Sequence, residues 1–330
     1  MAKAQVWKLK TDFDGIPKEE DFELVEEDLL SLKDNEILVQ AVYLSLNPYF
    51  RVVASVQKDL PGEQVAKIIE SKATDFPVGS LVCVHAGWRS HTVVDVTLAR
   101  GSGNSVELIQ EVPELSLSLW LGAAGMPGVT AYLSFLEKCD PKSGEVIVVT
   151  AASGAVGATV GQLAKNLGLT VIGIAGSKDK CEYIKSLGFD YAINYKEDNM
   201  SDALDKAAPN GVDIYYDNVG GTIADTVYGK LRDHGRVLIC GLISNYNTSE
   251  EKGKNWSKDI LFKKLKIQGF IVYDPANLAK FSTTRNELIS LLLQGKVKAK
   301  EHVTEGFTKM PAAFIELFTG ANFGKAIVKA

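Results

Sequence analysis

The clearest chemistry in the chain lies in Val146-Ile147-Val148-Val149-Thr150-Ala151-Ala152-Ser153-Gly154-Ala155-Val156-Gly157. An apolar run with strand character enters a turn, and a helical pattern follows. Gly154 lets the backbone come close to a bulky anion, and Gly157 lets the helix pack tightly on the strand. The helix start, at Ala155 and Val156, offers unpaired N–H groups and the positive end of a dipole to phosphates. Ala152 stands where the first glycine of a dinucleotide fingerprint would be. A glycine-rich turn without a ligand is what the bare pattern leaves open. The strand before and the helix after argue for the dinucleotide site.

The second strand of such a unit selects the cofactor. An acidic residue there binds the ribose 2′-hydroxyl of NAD. Here the place reads Ile174-Ala175-Gly176-Ser177-Lys178-Asp179-Lys180. Gly176 replaces the acid and leaves room for a 2′-phosphate, which Lys178 or Lys180 could neutralise. The expected cofactor is NADPH. One of the two lysines is expected to be an ordinary solvated helix start.

These residues need a frame. From Gln5 to Ile109, short apolar runs (Gln5–Leu9, Phe22–Glu26, Glu36–Leu46, Gln64–Glu70, Leu81–Val84) alternate with turn signals, which predicts a β-rich unit. Leu115–Cys139 reads as helical, broken at Gly125–Gly128. Strands are then expected at Glu145–Thr150, Leu169–Ala175, Tyr191–Asn194, Val212–Asp217, Arg236–Gly241 and Leu265–Val272, with helical segments between them. In the first of these, Val156, Val160, Leu163 and Leu167 share a face and Gly168 suits a C-cap. Such alternation predicts a doubly wound parallel sheet, so the fold class is α/β. Helices are also expected at Asn277–Gln294 and Pro311–Thr319, and the final GKAIVKA alternates like a strand. The expected domains are 1–120 with 300–330, and 121–299.

Bulk properties narrow the function. The 330 residues carry a net charge of −5 with no basic stripe, which argues against nucleic acid as a partner. No apolar run approaches membrane-spanning length, and no secretory signal is read at the N-terminus, so the cytoplasm is expected. Cys83, Cys139, Cys181 and Cys240 are scattered without a C-x-x-C pair. Cys83 and His85 form the one close Cys/His pair, and two candidates do not make a metal site.

AASGAVG, LGFDYAINYK, YYDNVGG, GRVLICGLISNYN, Asn47-Pro48-Tyr49, Gly125–Tyr132 and the terminal GKAIVKA together resemble the medium-chain dehydrogenases and reductases. Within these the chain is similar to the zinc-independent 15-oxoprostaglandin 13-reductase / leukotriene B4 12-hydroxydehydrogenase group and its plant double-bond reductases. The resemblance implies a GroES-like substrate domain completed by the C-terminus, a Rossmann domain between, and a homodimer. It implies that Gly154–Gly157 hold the pyrophosphate, that Lys180 and Tyr195 bind the 2′-phosphate end, and that Asn218 lies beside a ribose. Cys240, Gly241, Leu242, Ile243, Ser244, Asn245 and Tyr246 would follow the nicotinamide half. Phe270, Ile271, Val272 and Asn322 would close the carboxamide side.

Where the zinc-dependent relatives place their first Cys and their Gly-His-Glu, this chain has Leu46-Asn47-Pro48-Tyr49 and Gly62-Glu63-Gln64. Without a Lewis acid, hydride delivery to the double bond of an enone or enal is the expected reaction, with oxidation of the leukotriene hydroxyl a further activity of the group. Tyr246 is the candidate donor to the carbonyl oxygen, and packing on the cofactor is its plainer role. Tyr49 and Tyr273 are candidate pocket walls. A quinone reductase and a non-catalytic dinucleotide-binding redox sensor are the rival readings. The polar stretch Asn245–Lys258 departs from the proline-rich loop of the mammalian members, which bears on the preference for long lipid substrates.

Overall fold

A run such as Val146–Thr150 is stable only where both of its faces are covered. The computed structural model, which describes residues 3–98, 106–248 and 255–330, buries it in this way. The chain divides into two compact units, Met1–Gly125 with Glu301–Ala330, and Met126–Lys300.

The first unit begins with a hairpin of β1 (Lys3–Leu9) and β2 (Phe22–Asp28). β3 (Glu36–Ser45), the short helix α1 (Phe50–Val53), β4 (Glu63–Ser71), β5 (Leu81–His85), β6 (His91–Asp95) and β7 (Val106–Leu108) follow. The strand expectations hold to within a residue or two, and β6 and β7 were not foreseen.

The second unit contains α2 (Met126–Leu133), β8 (Val146–Thr150), α3 (Ala155–Asn166), β9 (Thr170–Ala175), α4 (Lys178–Ser186), β10 (Tyr191–Asn194), α5 (Met200–Ala207), β11 (Val212–Asp217) and α6 (Gly221–Lys230). It continues through β12 (Leu231–Ile239), α7 (Ser257–Lys263), β13 (Lys266–Gly269), α8 (Pro275–Leu278) and α9 (Phe281–Leu293). Its six strands are all parallel, in the order β10-β9-β8-β11-β12-β13. This is the doubly wound Rossmann order, with its switch point between β8 and β11.

Several boundaries differ from expectation for local reasons. The break near the start of this unit falls at Gly122–Gly125, and Gly128 is buried inside α2. A side chain at Gly125 would lie 2.1 Å from the Trp120 carbonyl oxygen, so close packing sets that break. α3 ends at Asn166, which leaves Leu167 42% exposed although it was expected on the buried face. β12 starts at Leu231, with His234 in a left-handed conformation (φ 62°) and a register shift opposite Val212/Ile214. The expected helix at Asn277–Gln294 is two helices, α8 and α9.

The chain then returns to the first unit through β14 (Glu301–Glu305), α10 (Met310–Thr319) and β15 (Lys325–Lys329). β15 pairs antiparallel with β3 and parallel with β14, completing a mixed sheet in the order β14-β15-β3-β4-β5-β7, with β6 on β3. This is a GroES-like β-rich unit, and the fold class is α/β. Its core is aromatic. Trp88 stacks on Phe22 at 5.6 Å and meets the edge of Phe314 from α10 at the same separation, with Phe50 at 6.3 Å from Phe314. Removing a buried phenyl ring from such a cluster costs about 3–5 kcal/mol. Phe314→Ala is therefore expected to lower the unfolding free energy by about that amount in equilibrium denaturation. A loss under about 1 kcal/mol would mean that α10 is not part of the core.

Candidate functional site

In a parallel doubly wound sheet, ligands bind beyond the C-terminal ends of the strands. β8 ends at Thr150, and the chain turns sharply at Ala151, whose φ is 47°. Gly154 is the N-cap of α3, and no side chain caps that helix. The first helical amides, those of Ala155, Val156 and Gly157, thus remain available to an outside acceptor. α4 is different, because its N-cap Ser177 accepts from the Lys180 N–H. A methyl group at Gly157 would sit 2.5 Å from the Ala151 carbonyl oxygen and 2.9 Å from the Ala152 Cα. Any side chain there would push α3 off the strand.

At the ends of β9 and β10 the residues are cationic and aromatic. Tyr195 follows β10, and its N–H donates to the Ala175 carbonyl at 3.1 Å. The room a side chain would take at Gly176 is filled by the Tyr195 ring, 2.8 Å from a methyl built there. The glycine therefore admits Tyr195 directly. Lys180 is half-buried, and burial followed by the charge of Lys196 pulls its ammonium below the usual lysine range. Lys196 also lies 6.0 Å from the Tyr195 ring centre. Lys178 is the solvated lysine, 82% exposed and 3.9 Å from Glu182. Two cations held together in this way favour a dianion such as a 2′-phosphate.

The ends of β8 and β11 are tied by a network the sequence did not reveal. Asp217 is buried, and its Oδ1 accepts from the N–H groups of Val219 and Gly220, both at 2.9 Å, and from the Thr150 hydroxyl at 3.2 Å. Burial raises its carboxyl above the ordinary range, against the pull of those donors. Asn218 donates from its side chain to the Thr150 carbonyl at 2.7 Å, and its own N–H donates to the Thr150 hydroxyl at 2.8 Å. The available signal was an acid closing an apolar strand. Such a residue is costly to bury unless donors await it.

Beyond β12, Cys240 and Gly241 donate their N–H groups to the Asp217 carbonyl, and Ser244 donates both its N–H and its hydroxyl to the Val219 carbonyl. The turn Ile243–Asn245 brings Tyr246 back, so that the Leu242 N–H donates to its hydroxyl oxygen at 3.3 Å. Burial raises the Tyr246 phenol above its usual range. Desolvation pushes the half-buried Cys240 thiol up to about 11. After β13, Phe270 and Val272 are buried and Ile271 is exposed, while Tyr273 is half-buried. The residues expected at 154–157, 180, 195, 218, 240–246 and 270–272 thus follow the C-terminal ends of the strands of one sheet. Tyr49 and Asn322 belong to the other unit, where Asn322 donates from its side chain to the Gly324 carbonyl at 3.1 Å.

Among the described residues, no group of three or more His, Cys, Asp or Glu side chains could hold a metal ion. At the places compared with the zinc-dependent relatives, Glu63 lies 3.6 Å from His85, and the Leu46 carbonyl accepts from the Lys325 ammonium at 2.5 Å. A cation is already supplied there by the chain, and the donor set does not fit zinc.

A Rossmann sheet of this order, in one chain with a GroES-like unit, defines the medium-chain class of oxidoreductases. Residues 155–292 match the family described as zinc-binding dehydrogenase, and residues 5–100 match the N-terminal domain of oxidoreductase. Prostaglandin reductase 1 of Bos taurus is 44% identical over 337 aligned residues covering 100% of both chains. The NADP(+)-dependent 2-alkenal reductase of Nicotiana tabacum is 39% identical, covering 97% of this chain and 95% of its own. The crystal structure of CurA from Vibrio vulnificus in complex with NADPH superimposes with a TM-score of 0.90 at 35% identity, covering 100% of this chain and 99% of that one. The chain belongs to the medium-chain dehydrogenase/reductase superfamily.

The paired lysines give a test that needs no turnover. Lys180→Ala is expected to weaken NADPH binding by about tenfold or more, the worth of one charge-assisted hydrogen bond. NADH binding, titrated by fluorescence in parallel, should not change. An equal loss for both cofactors would separate Lys180 from the 2′-phosphate.

Proposed function

We infer that this chain uses NADPH to reduce the carbon–carbon double bond of α,β-unsaturated ketones and aldehydes, with 15-oxoprostaglandin-type enones and lipid-derived alkenals as the substrate classes. The observation that carries this reading is the site itself. Lys180 and Lys196 stand where an NAD site has its acid, and a phenol is held in the loop after β12, with no metal donor set among the described residues. Full-length relatives named as prostaglandin and alkenal reductases support the choice of acceptor.

In this reading the unit Met126–Lys300 is the dinucleotide domain and the unit Met1–Gly125 with Glu301–Ala330 is the substrate domain. The amides at Ala155–Gly157 hold the pyrophosphate, Lys180, Tyr195 and Lys196 take the 2′-phosphate, and Asn218 meets the ribose. The backbone from Cys240 to Tyr246, with Phe270–Val272, shapes the nicotinamide end. On the substrate domain, Tyr49 is a wall of the substrate pocket. When bound, the reduced nicotinamide supplies a hydride to the β-carbon of the substrate.

Negative charge then moves to the carbonyl oxygen, and the enolate needs a donor in a water-poor site. Tyr246 is that donor. The Leu242 N–H occupies one lone pair of its oxygen, which leaves the hydroxyl proton to point at the substrate. Because burial raises this phenol, it stays protonated across the working pH range and acts by position, not as a base. The α-carbon takes its proton from solvent.

Consumption of NADPH with nonenal is the first test. Turnover that is weak with NADH and indifferent to a chelator is expected. Turnover of quinones alone would transfer the site to quinone reduction, and tight NADPH binding without turnover of any acceptor would favour a redox sensor. Tyr246→Phe should lower kcat/KM by about tenfold, as expected for one lost hydrogen bond, and leave the pH profile unchanged. A loss of about a thousandfold with a displaced profile would make the phenol an acid–base group.

No described helix is long and apolar enough to cross a membrane. The reading places the enzyme in the cytoplasm as a homodimer. β13 is an edge strand, and Leu261 and Phe262 on the preceding helix α7 expose 69% and 66% of their surface. An uncovered edge beside such side chains invites a second copy. Sedimentation should give twice the chain mass, and Phe262→Glu should shift it toward the monomer. A wild-type monomer at micromolar concentration would end the dimer proposal.

A further inference from the structure

Lys325 opens β15 and turns its side chain inward, where it is 5% exposed. Its ammonium donates to the Leu46 carbonyl at 2.5 Å, the Ala326 carbonyl at 3.0 Å and the Asn47 side-chain oxygen at 3.2 Å. An ammonium has three N–H donors and no lone pair, whereas a neutral amine has two donors and one lone pair. Only the charged form serves all three acceptors.

Two acids face it. Glu301 stands opposite Lys325 in the parallel register of β14 and β15, and Glu63 lies buried at the start of β4. His85, the partner of Glu63 across β4 and β5, approaches that carboxylate to 3.6 Å. Ser118, in the turn Leu117–Leu121, donates to Glu301 at 2.5 Å. Burial lowers the Lys325 ammonium most, to about 7, against the pull of Glu63 and then Glu301. Burial likewise pushes Glu301 up, against Ser118 and Lys325. The turn lies against the pair, since a methyl group at Gly122 would sit in van der Waals contact with the Lys325 Cγ at 3.4 Å and a Glu301 oxygen at 3.5 Å. One oxygen of each carboxylate, Glu63 Oε2 and Glu301 Oε1, has no hydrogen-bond partner among the described residues. A well-packed apolar replacement for such a cluster is often neutral or stabilising. Stability alone is therefore a poor reason for the cluster.

What the ammonium grips suggests the reason. Asn47 is buried, and its side-chain amide donates to the Ser45 hydroxyl at 2.9 Å. Its carbonyl accepts from the Phe50 N–H at 3.1 Å, closing the turn that sets Tyr49 at the start of α1. The Tyr49 ring then meets Phe50 at 4.8 Å. The place of Tyr49 follows from the place of Asn47, and Lys325 holds Asn47.

We propose that Lys325 is a positioning residue for the substrate side of the reaction, its ammonium fixing the Leu46–Asn47 segment and through it Tyr49, so that its charge sets how tightly the enone is held. This rests on Tyr49 being a wall of the substrate pocket. Lys325→Met keeps the length of the side chain and removes the charge. With NADPH saturating and an enal varied from about pH 6 to about pH 9, the wild-type KM should rise above about pH 7, where the ammonium gives up its proton. The Met variant should have a KM about tenfold higher at the acid end and no such rise, with the kcat and the NADPH dissociation constant little changed. A Met variant that keeps the wild-type KM and its pH profile overturns the proposal. Tyr49→Ala separates the two ideas. If it raises KM and Lys325→Met does not, the proposal falls and the pocket reading stands. If Tyr49→Ala leaves KM unchanged, it is the pocket reading that has failed. Should the Met variant not melt cooperatively, the wild-type profile decides, and a KM flat across the range overturns the proposal.

Discussion

The loops that follow β8, β11 and β12 hang together on the buried carboxylate of Asp217 where β11 ends. Burial alone would drive it neutral, and a neutral acid would surrender part of its acceptor capacity. Three donors oppose that: two backbone amides of the turn it caps and the hydroxyl of Thr150 on the neighbouring strand. Its side chain therefore fixes two things together. It folds the Val219–Gly220 turn back on itself, and it ties the end of β11 to the end of β8, from which the phosphate loop departs. The Asp217 main-chain carbonyl then receives the amides of Cys240 and Gly241, which brings in the loop after β12. Three loops from three strands are thus registered to one residue that touches no ligand in the proposed site.

The two units solve different problems. In the Rossmann unit a sheet of apolar strands, covered on both faces, gives rigidity, and its loops supply backbone amides and a few lysines. In the GroES-like unit the sheet is mixed and the core aromatic. There the C-terminal strand matters twice, because Ala326, Ile327 and Val328 fill the interior while Lys325 carries a charge into it. A closing strand that is both packing and electrostatics explains why the chain must come back to its first unit after completing the second.

Much of this was legible from sequence because the signals are local. A strand, a glycine turn and a helix lie within the one segment Val146–Asn166, and Gly157 stands where a side chain would strike the Ala151 carbonyl. NADPH as the cofactor was legible in the missing acid at Gly176, although the room expected there for a 2′-phosphate is taken by the Tyr195 ring. The parts that were missed are those in which distant residues meet. Lys196 follows a different strand from Lys180, Asp217 needs Thr150 sixty-seven positions earlier, and Lys325 reaches Leu46 across nearly the whole chain. The misplaced break at Gly125 and the divided helix before Leu293 are failures of another kind. Glycine spacing marks where a helix could break, and packing against Trp120 decides where it does.

Lys180 and Lys325 show why neighbours matter more than residue type. Both ammonium groups are lowered by burial, but the second influence differs in sign. Beside Lys180 it is another cation, Lys196, so the fold brings two positive charges together. Beside Lys325 it is two carboxylates and a ring of carbonyl acceptors, so the charge is answered within the protein and can serve only to hold the chain. The first arrangement suits the proposed anion site and the second the proposed strut. A sequence that shows only lysine at both positions cannot distinguish them, since the difference lies wholly in which strands the fold sets side by side.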